Sequence, residues 1–204
     1  MTKIGVTGLL ASGKSTVSKL IARKRHPLFS ADLSVKNLYK KKAFIRIIKN
    51  KFKLKSTQNI KKKIRKIIKN DKKKLKELEH IIHPLVRKDM RYFLKKNKNK
   101  KILVLEIPLL IESKLMNYFD IIIFVNSSEN KRIKRYIKNK GSAKMFKLLS
   151  RNQKNRKAKI KHSDYIVQNN TSLKELKKNV SIIVKKYEWN FFRHRNNGSF
   201  FSWS

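Results

Sequence analysis

Short apolar runs alternate along the chain with segments whose apolar residues recur at helical spacing. Continuous apolar runs of this length fit parallel strands that are covered on both faces. The predicted strands are Ile4–Thr7, Leu28-Phe29, Lys101–Glu106, Asp120–Val125 and Tyr165–Val167. Predicted helices follow the first strand at Lys14 to Arg23, the fourth at Glu129 to Lys138 and the fifth at Thr171 to Glu188. The alternation predicts an α/β class, a doubly wound parallel five-stranded sheet.

A long stretch without a strand pattern separates the second predicted strand from the third. It is rich in lysine and keeps apolar residues at helical spacing, for example Leu75, Leu78, Ile82 and Leu85. We therefore predict a helical insertion, and a basic lid between the fourth and fifth strands. The predicted organisation is a nucleotide-binding core at 1–33 and 101–188, the insertion at 34–100, the lid at 138–161, and a tail at 189–204 without an assigned role.

The loop after the first strand carries the strongest motif. Gly8 through Ser15 reads GLLASGKS, which matches the Walker A pattern G-x-x-x-x-G-K-[ST] at each required position. The motif lies between a predicted strand and a predicted helix, where loop amides and a helix N-terminus converge on phosphates. The ATP-binding residues predicted here are Gly8, Ala11, Ser12, Gly13, Lys14, Ser15 and Thr16. Lys14 is expected to bridge the β- and γ-phosphates as a catalytic cation, and the Ser15 hydroxyl to ligate Mg²⁺.

The charge balance changes this picture only slightly. The chain of 204 residues has 55 Lys and Arg against 12 Asp and Glu, a formal net charge of +43. Such an excess attracts anions, but it is nearly all lysine and is spread along the chain, so it does not favour a specific nucleic-acid partner. The absence of cysteine excludes disulfides and thiolate metal sites.

The N-terminal pattern and the lengths of the apolar runs bear on the location of the protein in the cell. The N-terminus enters a strand pattern directly and has no signal-peptide pattern, and no apolar run approaches the roughly 20 residues that span a bilayer. We expect a soluble, cytoplasmic protein with no membrane partner.

Several landmarks outside the P-loop resemble one family, the dephospho-coenzyme A (CoA) kinases, over about residues 3 to 175. The landmarks are Gly5–Thr16, Ser30-Ala31-Asp32, Leu78–Pro84, Ile107–Glu112, and the weaker series Gln153, Lys159, Ser163-Asp164 and Asn169-Asn170. The resemblance implies transfer of the γ-phosphoryl group of ATP to the ribose 3′-hydroxyl of dephospho-CoA, which gives CoA and ADP. Mg²⁺ is the implied cofactor, and ATP and dephospho-CoA are the implied partners.

The resemblance implies that the part at 34–100 is a helical substrate-binding insertion that binds the CoA moiety, and it assigns roles to further residues. Asp32, at a strand's carboxyl end, is the candidate base that orients the attacking hydroxyl and takes its proton. Glu106 is a candidate for the water shell of Mg²⁺. The candidate substrate-binding residues are Thr7, Asp32, His83, Pro108, Leu109 and Glu112.

Three positions depart from the family pattern. Ser30 replaces an aspartate, Lys159 stands where an arginine is usual, and Asn139 falls where the lid arginine is expected. Lysine supplies charge without a rigid fork for bidentate phosphate contact. The candidates for the lid contact are Arg135, Lys138, Lys140, Arg151 and Arg156.

Purely structural roles are alternatives to the catalytic ones. Asp32 could be a helix N-cap before Leu33, Glu106 could cap a turn, and Glu112 could pair with a lysine. For His83, we favour a packed residue that fixes a helix boundary before Pro84. Two other functions also stay open: a small P-loop kinase acting on a nucleoside, nucleotide or shikimate-like hydroxyl, and a basic nucleic-acid-binding ATPase.

Overall fold

The computed structural model describes residues 1–23, 25–151, 153 and 155–196, with backbone only for 70 and 187–196. The strands are β1 Thr2–Gly8, β2 Leu28–Ser30, β3 Ile102–Glu106, β4 Ile121–Asn126 and β5 Tyr165–Gln168. The helices are α1 Lys14–Ala22, α2 Ala31–Leu38, α3 Lys42–Lys51, α4 Ile60–Asn70, α5 Lys72–Lys96, α6 Glu129–Lys138, α7 Ala143–Arg151, α8 Arg156–Lys161 and α9 Leu173–Asn196. A short 3₁₀ turn covers Met116–Tyr118.

The strands form one parallel five-stranded sheet in the order β2-β3-β1-β4-β5. The predicted α/β class and doubly wound parallel sheet are therefore confirmed. In this order β1 is central, and the register places Glu106 level with Ser30 on one side and with Val6 on the other. The carboxyl ends of β1, β2 and β3 consequently meet at one edge, which is where such folds bind ligands.

Both faces of the sheet are covered. On one face, Val6 and Val104 pack with Val17 and Ile21 of α1 and with residues of α9. On the other face, Leu103 and Leu105 pack with Met90 of α5 and with residues 107–115, the segment after β3. This double cover explains why the strands read as continuous apolar runs.

Helices α2 to α5 form a third apolar cluster away from the sheet, which includes Leu38, Phe44, Ile48, Ile64 and Leu78. The region between the second and third strands is helical, as its spacing predicts. Its separate apolar cluster supports the proposed insertion at 34–100, and the division into a core, an insertion and a lid remains a prediction.

One helix boundary expected from the sequence is wrong. Pro84 lies inside α5, which runs without interruption from Lys72 to Lys96. A proline inside a helix removes one backbone hydrogen bond and costs about 3 kcal/mol. Here both halves of the helix bury apolar side chains, Leu78 in the third cluster and Met90 under the sheet, and this burial offsets that cost.

The last helix is longer than the sequence pattern predicts. Its backbone continues from Leu173 to Asn196 rather than ending near Glu188. The first part of the predicted tail is therefore helical, and residues 197–204 lie outside the described residues. Of the helices that the structure describes, none is both long and apolar enough to cross a membrane.

Candidate active site

The P-loop joins the central strand to α1 in the expected way. β1 ends at Gly8, and Gly13, at φ 97°, is the left-handed N-cap of α1, which begins at Lys14. A Cβ on Gly8 would lie 2.6 Å from the carbonyl oxygen of Val125, and one on Gly13 would collide with the Asn169 amide. These close approaches, together with the positive φ of Gly13, explain why both positions are glycine.

Polar side chains from distant segments hold this loop. The Asn169 amide donates to the Ser12 carbonyl at 2.8 Å, and Arg135 donates to the same carbonyl at 3.3 Å. The Leu10 N–H donates to the side chain of Gln153 at 2.8 Å. Gln153 and Asn169, which are weak landmarks in the sequence, therefore contact the P-loop itself.

Arg132 is a residue that the sequence reasoning missed. It is buried, its guanidinium lies 3.5 Å from the Leu10 carbonyl oxygen, and it stacks over Phe146 at 5.4 Å from the ring centre. Arg132 and Arg135 are three residues apart on α6, so they share the face that packs against the loop. That spacing from Arg135, directly after a strand of the core, is a signal that could have identified Arg132 as well.

Lys14 is buried at the centre of the site. Only 7% of it is exposed, and its Nζ donates to the Leu9 carbonyl at 3.0 Å. Burial lowers the pKa of Lys14, and the nearby carboxylates of Asp32 and Glu106 oppose this shift. Lys14 and the carboxylates of Asp32 and Glu106 thus lie close together at the edge where β1, β2 and β3 end.

Ser15 and Glu106 form a pair of hard oxygen donors beside Lys14. The Ser15 hydroxyl donates to Oε1 of Glu106 at 2.6 Å, and Glu106 is 2% exposed. No group of three or more His, Cys, Asp or Glu side chains that could hold a metal occurs in the part of the chain that the structure describes. The pair suits Mg²⁺, which keeps most of its ligands as water and phosphate oxygens.

Asp32 lies in the first turn of α2, directly after β2. The N-cap of this helix is Ser30, whose hydroxyl accepts from the Leu33 N–H at 3.4 Å, so Asp32 is not the cap. Solvent reaches Asp32, but the surrounding protein partly desolvates its carboxylate. Desolvation raises the pKa of Asp32, Lys14 counteracts the shift, and Glu106 adds to it.

Asp32 also connects two cavities. One, of about 490 Å³, is lined by the P-loop together with Glu106, Arg135 and Asn139. The other, of about 140 Å³, is mainly apolar and lies between α2, α5 and the segment after β3. Of the residues that the structure describes, Asp32 alone lines both cavities.

Besides Asp32, three of the predicted substrate-binding residues line the apolar cavity, namely His83, Pro108 and Leu109. His83 is half-buried, and desolvation lowers its pKa, while Glu79 opposes that shift. Because α5 continues through Pro84, His83 faces the cavity from within a helix and does not mark its boundary. Arg87 and Ser113 also line the cavity, and most of its other walls are apolar, with Phe29, Val35, Ile82, Val86, Met90 and Leu115 among them.

The other two predicted substrate contacts take structural positions. Thr7 is fully buried and donates to the Pro108 carbonyl at 3.2 Å. Glu112 forms an ion pair with Lys159 at 2.8 Å, and Lys159 Nζ also donates to the Pro108 carbonyl at 2.9 Å. Lys159 is 0% exposed. Thr7 and the Lys159–Glu112 pair therefore hold the segment after β3 in place.

The predicted lid residues are dispersed. Arg135 contacts the P-loop from α6, and Lys140 lines a basic cleft beside α4. Lys138 and Arg151 are exposed, and Arg156 lines a shallow pocket of its own helix α8. Of these five, Arg135 alone lines the P-loop cavity, in the part of the chain that the structure describes.

A family model described as dephospho-CoA kinase matches residues 2–175 of the chain. The chain belongs to the dephospho-CoA kinase family. Membership confirms the resemblance drawn from the P-loop, the Ser30–Asp32 segment and the Ile107–Glu112 segment. It also shows that the chain belongs to a kinase family with ATP as a substrate.

The chain is also similar to individual proteins of this family. A dephospho-CoA kinase of Fusobacterium nucleatum is 34% identical over 184 residues, which cover 87% of this chain and 94% of that protein. The solved structure of a dephospho-CoA kinase from Campylobacter jejuni matches with a TM-score of 0.64 at 25% identity, over 91% of this chain and 96% of that one. The structure of TT1252 from Thermus thermophilus, with a TM-score of 0.72 at 24% identity over 91% and 97% of the two chains, shares the fold.

Proposed function

We propose that this dephospho-CoA kinase transfers the γ-phosphoryl group of ATP to the ribose 3′-hydroxyl of dephospho-CoA, the last step of CoA biosynthesis, and that Asp32 is its base. The position of Asp32 between the P-loop cavity and the apolar cavity carries the proposal. A carboxylate there reaches the phosphoryl donor from one side and an acceptor hydroxyl from the other. The transfer forms the bond from the 3′-oxygen to Pγ and breaks the bond from Pγ to the bridging oxygen of ADP.

The neighbouring charges suit this role. Asp32 accepts a hydrogen bond from the 3′-hydroxyl, orients it in line with Pγ, and takes its proton late in the transfer. Desolvation raises the pKa of Asp32, which makes the carboxylate a better proton acceptor than an ordinary aspartate. Lys14 supports the charge on the γ-phosphoryl oxygens, and the loop amides orient the remaining phosphates.

Mg²⁺ is the proposed cofactor. When bound, it neutralises charge on the β- and γ-phosphates. Ser15 would supply a hydroxyl ligand, and Glu106 would accept a hydrogen bond from a ligand of the ion or from Ser15 itself. The observed bond of 2.6 Å between these two residues supports the assignment, because it places two oxygen donors side by side at the P-loop.

The apolar cavity is the proposed site for the adenosine end of the acceptor. An apolar recess with few polar groups is typical of small-molecule sites, and adenine is flat and largely apolar on its faces. His83 and Arg87 supply polar edges within this lining, and Pro108 and Leu109 form its wall beside the P-loop. Water exclusion at this junction would limit hydrolysis of ATP.

A panel of acceptors tests the proposed function. ADP release is measured with dephospho-CoA, AMP, adenosine, shikimate and single-stranded RNA, and Lys14→Ala serves as the control for contaminating kinases. We expect rapid release with dephospho-CoA alone. Preference for a nucleoside, nucleotide or shikimate would support the alternative small P-loop kinase, and stimulation by RNA would support the nucleic-acid-binding ATPase. Cytoplasmic location and the absence of a specific nucleic-acid partner remain predictions.

A further inference from the structure

A basic cleft lies between α4 and the start of α7. It encloses about 580 Å³, and its cations are Lys62, Lys63, Arg65, Lys66, Lys69 and Lys140. Positions 62, 65, 66 and 69 follow the i, i+3, i+4, i+7 rule, so α4 presents them along one face. Among the described residues, no acidic side chain lines this cleft. Such a concentration of positive charge on one helix face favours an anionic ligand.

A smaller recess connects this basic cleft to the active site. This recess, of about 310 Å³, is lined by Asp32 at one end and shares Arg65, Tyr136 and Met145 with the basic cleft. Tyr136 lines both spaces together with Arg65. Burial raises the pKa of the Tyr136 hydroxyl, and the charge of Arg65 opposes that shift. Among the described residues, Arg65 is the one cation that lines both the basic cleft and the recess that Asp32 lines.

We infer that Arg65 binds the pyrophosphate of dephospho-CoA and selects acceptors that carry it. The inference rests on the proposed function. In dephospho-CoA the pyrophosphate is attached to the 5′-carbon of the ribose whose 3′-hydroxyl is phosphorylated. A hydroxyl held at Asp32 therefore places the pyrophosphate one sugar ring away, within the recess that Asp32 and Arg65 both line.

The chemistry of Arg65 suits this anion better than that of its lysine neighbours. A guanidinium presents paired N–H donors that match two phosphate oxygens, whereas a lysine offers a single mobile charge. In the described part of the chain no carboxylate pairs with Arg65. Lys61, another cation of the recess, lies over the Tyr39 ring at 5.1 Å from its centre.

Steady-state kinetics of Arg65→Ala, with both substrates varied, test this inference. Arg46→Ala is the matched control, because Arg46 is an exposed arginine on α3 that lines none of these cavities. We expect the KM for dephospho-CoA to rise about 10- to 100-fold, as for loss of a charged hydrogen-bonded contact, with kcat and the KM for ATP within about twofold. Arg65→Lys should recover part of the loss, and Arg46→Ala should resemble the wild type.

Two results would overturn the assignment of Arg65. One is a KM for dephospho-CoA that changes no more in Arg65→Ala than in Arg46→Ala. The other is a rise in the KM for ATP instead, which would place Arg65 on the phosphoryl donor. Calorimetric titration of dephospho-CoA into Arg65→Ala and Arg46→Ala measures binding without phosphoryl transfer. It therefore tests the role of Arg65 even if the wild type transfers no phosphate, which would be the failure of the proposed function. Thermal melts confirm that the variants are folded.

Discussion

The Ser15 hydroxyl donates a hydrogen bond of 2.6 Å to the Glu106 carboxylate across the edge where β3 meets the P-loop. Glu106 is 2% exposed and lies level with Val6 of the central strand. A buried carboxylate that binds a hydroxyl ligand orients the ligand and increases its affinity for a cation. This contact gives a prediction about the metal requirement.

Glu106→Gln is expected to raise the Mg²⁺ concentration needed for half-maximal activity by about 10- to 100-fold. The glutamine keeps the size of the side chain and can still accept from Ser15, but it removes the charge that favours the cation. The measurement is a Mg²⁺ titration at saturating ATP. Glu175→Gln, at an exposed glutamate of α9, is the control. Equal Mg²⁺ requirements in the two variants would show that Glu106 does not act on the metal.

Lys14→Ala is expected to lower kcat by on the order of 10²- to 10³-fold, because it removes the cation that supports the γ-phosphoryl charge. Burial of the charged Lys14 side chain is unfavourable, as its lowered pKa indicates. Its removal should therefore not unfold the protein. The measurement is kcat with dephospho-CoA, accompanied by a thermal melt. Lys19→Ala, an exposed lysine on the same helix, should keep normal activity. Normal turnover by Lys14→Ala would exclude the proposed role of this lysine.

Lys159→Ala is expected to destabilise the fold by about 3–5 kcal/mol, the usual cost of breaking a buried ion pair by removing one of its members. The change leaves Glu112 without its lysine and removes a donor to the Pro108 carbonyl. Urea denaturation measures the free energy of unfolding. Lys161→Ala, two residues away and exposed, should change it little. Similar stabilities of both variants would show that the pair does not brace the segment after β3.

Ser30→Ala is expected to lower the free energy of unfolding by about 0.5–2 kcal/mol, the range for losing an N-cap. The bond to the Leu33 N–H is 3.4 Å long and exposed, which favours the lower end. Ser30→Asp restores the residue type usual in the family and still caps the helix, so it should keep the stability. A greater loss in Ser30→Asp than in Ser30→Ala would contradict the capping role.

The sequence predicts the parts of this molecule that depend on local pattern. Apolar runs identify the five strands, and the glycine and lysine spacing places the P-loop at the end of β1. Asp32 and Glu106 could be placed at the same edge because Asp32 follows one predicted parallel strand and Glu106 ends another. Local signals are sufficient where a residue's role follows from its position in an element.

The remainder depends on contacts between distant segments. Nothing local reveals that Glu112 meets Lys159, or that Gln153 accepts from Leu10. Pro84 suggests a helix end, but the burial of apolar residues on both sides of it maintains α5. These outcomes depend on tertiary packing, which overrides local preference.

Asp32 gives a prediction about pH. Its folded-state pKa is raised above the ordinary value of 3.8, so kcat should fall, as the pH decreases, at a higher pH than for an ordinary aspartate. The same shift means that the protonated form is favoured by the fold. Its contribution to stability is present below the ordinary value and lost as the pH rises through the raised pKa. Asp32→Asn should therefore not lower the melting temperature at neutral pH.

The most direct test of the proposed role is the single-turnover rate of CoA formation by the wild type and Asp32→Asn, measured by mass spectrometry at neutral pH. Asp71→Asn is the control, because asparagine also caps α5. We predict a rate about 10²- to 10⁴-fold lower in Asp32→Asn, as for loss of a general base, with ATP binding unchanged. CoA formation at the wild-type rate by Asp32→Asn would contradict the account of Asp32 as the base between the two cavities.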